Sequence, residues 1–347
     1  MRSRPFPLLA ALLPLQAGAD GFEGRWLITI DAPGVVPYEA QLDLERDGET
    51  WRAWVENGPA PVAIDGERIE LRVDSRDRQG FRFERLLVGR LEDGGIAGTV
   101  TMLGLIETAA ENGENGSAWR AVRMDGLPAR DSSGYTLRDY EGAWAAIRGR
   151  DVRKYTMDLT PKGAGWVAAY DARMDEPQKR CVSPGLVAAV TWMFPFEVIV
   201  SERRNRLTLM YEAFNLYRRV FLEQDEMPEF YPESSMGYSR GRFEDGELVI
   251  ETTLLSHNTR DFNGEPVSTD TRIEERYYLT EDGQRLNVVM TMHDPGNYER
   301  PPIRRRAWDR NDEAVIYPFE CDPDSFFRQL FSEGLMQDYI DRSHMRP

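Results

Sequence analysis

With 347 residues the chain exceeds the usual size of one compact domain, so two domains are the first expectation. Its net charge of −16 argues against nucleic acid and anionic membrane surfaces as partners, because like charges repel. It has no phosphate-cradling glycine loop and no cluster of metal ligands, so no cofactor is expected.

Arg2 and Arg4 precede an apolar run over 6–15, and Ala17-Gly18-Ala19 has the small-x-small form that a signal peptidase accepts. That run is shorter than the about 20 residues that span a bilayer. The pattern predicts an export signal over 1–19, a periplasmic or secreted mature chain, and no membrane insertion after cleavage.

From Gly21 onward, alternating runs fall at 25–30, 38–44, 51–55, 68–73, 81–91, 96–102 and 118–124. Asp47-Gly48, Asp65-Gly66 and Asp93-Gly94 punctuate them as tight turns. Short strands at this spacing predict an antiparallel barrel or sandwich over 20–126. The first strand opens Glu23-Gly24-Arg25-Trp26, and the last carries Trp119, Arg120 and Arg123. This resembles the Gly-x-Trp opening of lipocalin-like barrels, in which an arginine of the final strand lies across the tryptophan ring. Cation–π attraction gives that arrangement a physical basis.

Proline, serine and glycine without periodicity mark a linker over 127–136. Beyond it Glu141-Gly142-Ala143-Trp144 repeats the opening, which suggests a second barrel of related design over 137–321; chance recurrence of a tetrapeptide is the alternative. Strands are predicted at 155–159, 166–170, 196–201, 207–212, 217–222, 273–279, 286–293 and 303–308. The fold class that follows is all-β: two tandem antiparallel lipocalin-like barrels. An acidic, proline-containing loop over 223–236 is long enough to cover a barrel mouth.

The clearest alternation lies at 247–255, where Leu248, Ile250 and Thr252 share one face and Val249, Glu251 and Thr253 the other. Asp245-Gly246 turns this strand back on 241–244. Gly237-Tyr238-Ser239-Arg240-Gly241 matches the nucleophile-elbow pattern, but that motif needs a strand before the serine and a helix after it. Here a loop precedes and a hairpin follows, so Ser239 is read as a strand residue. After Cys321, Asp322 and Pro323 start a helix that, with a tail, fills 322–347 and carries the stripe Phe327, Leu330, Phe331, Leu335 and Ile340.

Cys181 and Cys321 are the cysteines of the chain, and in an oxidising compartment a disulfide between them is the leading expectation, two buried thiols the alternative. His257, His293 and His344 lack the spacing of a metal site, so none is assigned.

Arg180-Cys181-x-x-Pro184-Gly185, Tyr211-Glu212, Arg218-Arg219, the 236–244 run MGYSRGRFE with Glu251-Thr252-Thr253, Glu275-Arg276, Asp294-Pro295 and Glu320-Cys321 together resemble a set of uncharacterised exported bacterial β-barrel proteins. The resemblance implies a fold and a location and carries no activity. Histidines usual in that set near 213 and 238 are missing here.

Chemistry is sought among polar residues that interrupt apolar strands. Glu212, Glu251 and Glu275 are candidate proton-transfer bases, and Arg219 and Arg276 candidate carboxylate clamps. Tyr211, Tyr217, Tyr238 and Trp192 are candidate aromatic walls. The leading expectation is a binding protein whose C-terminal barrel encloses a small apolar or carboxylate-bearing molecule. A cofactor-free lyase or isomerase, with a glutamate base and an arginine stabilising negative charge, is the second; a structural β-module without a ligand is the third.

Overall fold

The structure, a computed structural model, describes residues 19–31, 38–76, 82–104, 115–127, 130, 132, 134–147, 157–192, 194–222, 227–259 and 264–345. The proposed signal therefore lies almost wholly outside the described residues. The N-terminal strands are β1 (Gly24–Asp31), β2 (Tyr38–Asp47), β3 (Thr50–Val55), β4 (Gly58–Ala60), β5 (Val62–Asp65), β6 (Arg68–Arg76), β7 (Arg82–Glu92), β8 (Gly95–Leu103) and β9 (Ala118–Arg123). The second half contains β10 (Gly142–Ala146), α1 (Pro161–Ala169), α2 (Gly185–Thr191), β11 (Phe196–Ser201), β12 (Arg206–Tyr211) and β13 (Leu216–Leu222). Next come β14 (Tyr238–Glu244), β15 (Glu247–Thr253), β16 (Asn258–Thr259), β17 (Pro266–Val267), β18 (Arg272–Leu279), β19 (Arg285–His293) and β20 (Ile303–Arg310). Two short helices, α3 (Asp324–Ser332) and α4 (Met336–Asp341), end the chain.

Two barrels in tandem are present. The first sheet runs β4-β3-β2-β1-β9-β8-β7-β6-β5 and is nearly closed, because 58–65 acts as one kinked run. Its first half pairs with β3 and its second half with β6. Pro61, which has no amide hydrogen to give a ladder, sits at the kink, and its carbonyl accepts from the Arg72 amide at 3.0 Å. Trp26, Ile28 and Ile30 face inward at period 2 against Leu42, Leu44, Ile69, Leu71 and Val100.

The second sheet is a closed barrel, β10-β11-β12-β13-β14-β15-β18-β19-β20. Its β13–β14 pair is parallel, a departure from the antiparallel meander expected. The loop between them is long enough to return along the barrel and start β14 in the same direction as β13.

Both Glu-Gly-x-Trp openings build the same corner. The Trp26 and Trp144 indoles donate to the carbonyls four residues earlier, Phe22 at 2.8 Å and Tyr140 at 3.0 Å. Arg123 lies 4.5 Å over the Trp26 ring and Arg310 4.4 Å over that of Trp144. Each arginine also binds backbone carbonyls of the segment that leads into its barrel. Gly24 and Gly142, at φ +131° and +119°, make the entry bend.

Three expectations for the second half are corrected. The run 166–170, read as a strand, is the C-terminal part of α1 and its cap, where Thr160 caps Gly163 at 3.1 Å with Pro161 following. The run 155–159 lies partly outside the described residues, and its described end forms an isolated bridge, Leu159 to Tyr298. The single C-terminal helix is two, because Gly334 at φ +73° ends the first. Phe326, Leu330 and Tyr339 pack with Met174, whereas Phe331 and Ile340 of the predicted stripe are 79% and 53% exposed.

The Asp245-Gly246 turn forms as expected, with φ +49° and +78° joining Glu244 to Glu247. A Cβ on Gly246 would stand 1.4 Å from the Ser132 carbonyl oxygen. Gly246→Ala is therefore expected to destabilise the protein by more than about 1 kcal/mol, read as a lower urea midpoint; an unchanged midpoint would show that this linker contact is dispensable.

The barrels meet through opposite charges. Arg300 stacks 3.5 Å over the Trp54 ring and pairs with Asp43 and Glu45. Arg305 pairs with Glu56 at 2.9 Å. The Trp54 indole donates to Asp158 at 3.0 Å and Asn57 to the Pro301 carbonyl at 2.8 Å. No helix among the described residues is long and apolar enough to cross a membrane.

Candidate functional site

Among the described residues, apolar walls and polar groups combine in the lumen of the C-terminal barrel and at the seam of the N-terminal one. In the lumen, alternation points Arg218 inward with Val220, Ser239 with Gly241, Thr252 with Ile250, and Glu275 with Ile273 and Tyr277. Arg218 and Glu275 are 2% and 0% exposed and pair through both carboxylate oxygens, with Nη1 to Oε1 at 3.0 Å. Arg218 also donates to Ser239 Oγ at 2.8 Å and Thr252 Oγ1 at 2.6 Å, and the Tyr277 hydroxyl donates to Glu275 at 2.8 Å. Burial works against a charged guanidinium, but the adjoining Glu275 carboxylate outweighs it and holds Arg218 above the ordinary arginine range. Tyr211 lies against this pair. Burial pushes its pKa up to about 12, and its hydroxyl has no hydrogen bond of good geometry.

One end of the lumen is stoppered by α2, whose seven residues are all buried. Leu186 N donates to the Ser235 carbonyl at 2.9 Å and fixes the helix start. At its other end Arg306, which shares the inward face of β20 with Trp308, donates to the Thr191 carbonyl at 2.5 Å, a favourable position for a cation at a helix C-terminus. Burial pulls the Arg306 pKa down to about 10. The plug is thus α2, whereas the sequence pointed to 223–236. Of the described part of that loop, Tyr231 covers the outer wall, 4.7 Å from Tyr238, which stacks 5.3 Å from Phe221, whereas Ser235 anchors the start of α2 and Met236 packs on the barrel core.

Of the residues selected from the sequence, the fold brings Glu275 and Tyr211 together in the lumen. Arg219 and Tyr217 face outward, Tyr217 at 64% exposure, because β13 points Arg218 inward and its neighbours out. Glu251 is on the outer wall between Arg240 at 3.0 Å and Arg272 at 3.2 Å, and Arg276 is there too, paired with Glu247 at 2.7 Å. Glu212 sits in the turn after β12 and accepts from the Tyr317 amide at 3.1 Å. Trp192 ends α2 among Phe194 and Phe214, each 6.0 Å away. Ser239 is 1% exposed within β14, as a strand residue. The disulfide is formed: Cys181 joins Cys321 with Cα atoms 5.7 Å apart, tying the approach to α2 to the chain that follows β20.

Sequence reasoning met Arg218 only as part of the Arg218-Arg219 motif and did not select it as a site residue, although it is Arg218 that pairs with Glu275; it missed the seam altogether. Where 58–65 changes partners, a cavity of about 700 Å³ opens between β3–β4 and β6. Trp51, Ala53, Pro59, Pro61 and Val62 give it an apolar floor. Arg52, Arg72, Asp74 and Glu84 rim it, with Arg72 and Glu84 paired at 3.0 Å. The Pro59-x-Pro61 interruption between two alternating runs was the sequence signal for a broken ladder.

The chain matches no protein-family model, and no curated protein shows significant similarity to its sequence.

Proposed function

We propose that this is an exported small-molecule-binding protein whose site is the seam cavity of the N-terminal barrel. The observation that carries the reading is the cavity itself, about 700 Å³ with an apolar floor and a charged rim; ligand sites commonly measure about 300–1,000 Å³ and are lined in this way. A ligand with a flat apolar face and an anionic or hydroxylated edge suits Trp51 and the prolines below and Arg52 and Arg72 at the rim. The C-terminal lumen is less suited to a guest, because the Arg218–Glu275 network and α2 take up its interior. A lyase or isomerase would need a glutamate free to take a proton. Both Glu275 oxygens are held by Arg218, and Glu251 faces out. Export is supported by the Cys181–Cys321 disulfide, which persists in oxidising compartments, together with the signal-like sequence over 1–19.

The test uses 1-anilinonaphthalene-8-sulfonate, a flat aromatic anion that fluoresces in apolar clefts. The native protein should bind it saturably at one site, and Val62→Asp, placing a carboxylate in the floor, should weaken binding at least about tenfold. Equal binding by both proteins, with both folded by circular dichroism, would remove the seam as the site.

A further inference from the structure

The outer face of β11–β13 differs from the rest of the barrel surface. Because Val198, Leu209 and Val220 point inward, their neighbours point out. Strand register sets Met210 beside Tyr217 and puts Ile199 and Arg219 on either side of Thr208. Ile199, Met210 and Tyr217 are all exposed, and contiguous exposed apolar side chains commonly mark a contact surface. Arg206 stands on the same face beside Phe221, and Arg203 and Arg204 occupy the turn between β11 and β12. Among the described residues these three and Arg219 form no ion pair. Elsewhere on the wall Arg240 and Arg272 pair with Glu251, and Arg276 with Glu247. Acids on the face do not balance the arginines: Glu197 lies beside Met210, and Glu202 is already paired with Arg138 at 2.8 Å. In a chain of net charge −16 this is a cationic and apolar island, rich in the residue types that protein interfaces favour.

The opposite combination stands at the edge of that face. The described part of the segment between β13 and β14 begins Met227-Pro228-Glu229-Phe230-Tyr231-Pro232-Glu233. Phe230 is 87% exposed, and Met227 is exposed too. Glu229 and Glu233 are exposed and, among the described residues, form no ion pair. Pro228 and Pro232 stiffen the segment, so less conformational entropy is lost when it docks. Tyr231 fixes its position by packing edge-on against Phe221 and Tyr238, with centroids 6.5 and 4.7 Å away. Phe221 belongs to the cationic face, so segment and face lie side by side on one flank of the barrel.

We propose that a second copy of this chain covers the face, in a two-fold dimer in which 227–233 of each copy lies on β11–β13 of the other. Phe230 then meets Ile199, Met210 and Tyr217, and Glu229 and Glu233 meet the arginines. A two-fold axis needs the same patch on both subunits to be complementary to itself. Segment and face satisfy that condition because they are adjacent and opposite in charge: one axis makes both contacts at once, and the assembly closes at two. Local pairing of opposite charges offsets the repulsion between two chains of like net charge.

Sedimentation equilibrium of the full chain reads the mass directly. A dimer is expected at about 100 μM, where an interface with a dissociation constant of about 10 μM is mostly assembled. Phe230→Ser, at a side chain exposed in the single copy, should leave the fold unchanged and weaken association at least about tenfold, as loss of a central aromatic contact does. Charge reversal gives the decisive case. Glu229→Arg with Glu233→Arg makes segment and face both positive, and Arg203→Glu with Arg204→Glu and Arg219→Glu makes both negative. Each of these variants alone should be monomeric, and an equimolar mixture should return to the dimer mass, because the segment of each then matches the face of the other. Misfolded chains cannot produce that recovery. A parent that stays monomeric at this concentration, a Phe230→Ser protein that associates as tightly as the parent, or a mixture of the reversed variants that stays monomeric would each overturn the proposal.

Discussion

Arg218→Met is expected to destabilise the protein by about 3–5 kcal/mol, because it leaves the fully buried Glu275 carboxylate without its cation. Arg219→Met, one residue on, is expected to stay within about 0.5 kcal/mol of the parent, since that side chain stands on the exposed outer wall. Urea denaturation followed by tryptophan fluorescence reads both. A third variant separates the cost of an orphaned charge from the worth of the pair: Arg218→Met with Glu275→Leu removes both charges and should recover most of the loss, because well-packed apolar residues often replace a buried ion pair at little cost. If the double variant is as unstable as the single one, then Ser239, Thr252 and Tyr277, which all hydrogen bond to the pair, need it as their partner. If Arg218→Met costs less than about 1 kcal/mol, Glu275 is protonated or solvated in the variant and the lumen is wetter than its packing implies.

Removing the disulfide should have an effect of similar size. The Cys181–Cys321 bond spans 140 residues of sequence, and on the chain-entropy account closing such a loop stabilises by about 4–5 kcal/mol relative to the open chain. The double variant Cys181→Ser with Cys321→Ser is therefore expected to unfold well below the parent temperature. Because Cys321 is exposed, a dithiol reductant should produce the same shift in the parent and none in the variant. The consequence is local as well as global. The segment after β20 is held to the end of the barrel by Asn215, whose side chain makes two hydrogen bonds to the Phe319 backbone at 2.7 and 2.8 Å, and by Glu212. Without the bond, amide exchange should rise first over 313–323. Equal unfolding temperatures for parent and variant would show that these polar contacts suffice.

The barrels were legible because their cause is local. Side chains alternate at period 2, tight turns carry residues that tolerate positive φ, and a Gly-x-Trp opening needs only its own strand and one arginine of the last. Asp93-Gly94 and Asp245-Gly246 turn as their chemistry requires. The Trp26 and Trp144 corners repeat down to the arginine over each ring. Alternation also divides each strand into two faces, which already sets Glu275 apart from Arg276. In β13 it gives no such decision: Leu216, Val220 and Leu222 on one face compete with Tyr217 and Phe221 on the other, so adjacent Arg218 and Arg219 cannot be ranked without the barrel around them.

What the sequence by itself determined is the kind of object: two β-barrels with a covalent tie in the second half. The three-dimensional arrangement alone decided which groups face one another. Burial of Arg218 with Glu275, the stopper made of α2 and the broken seam at Pro61 all join segments far apart in the chain. Contacts of that kind depend on barrel closure and strand order, which no local periodicity encodes, because side-chain alternation says which way a residue points and not what it meets.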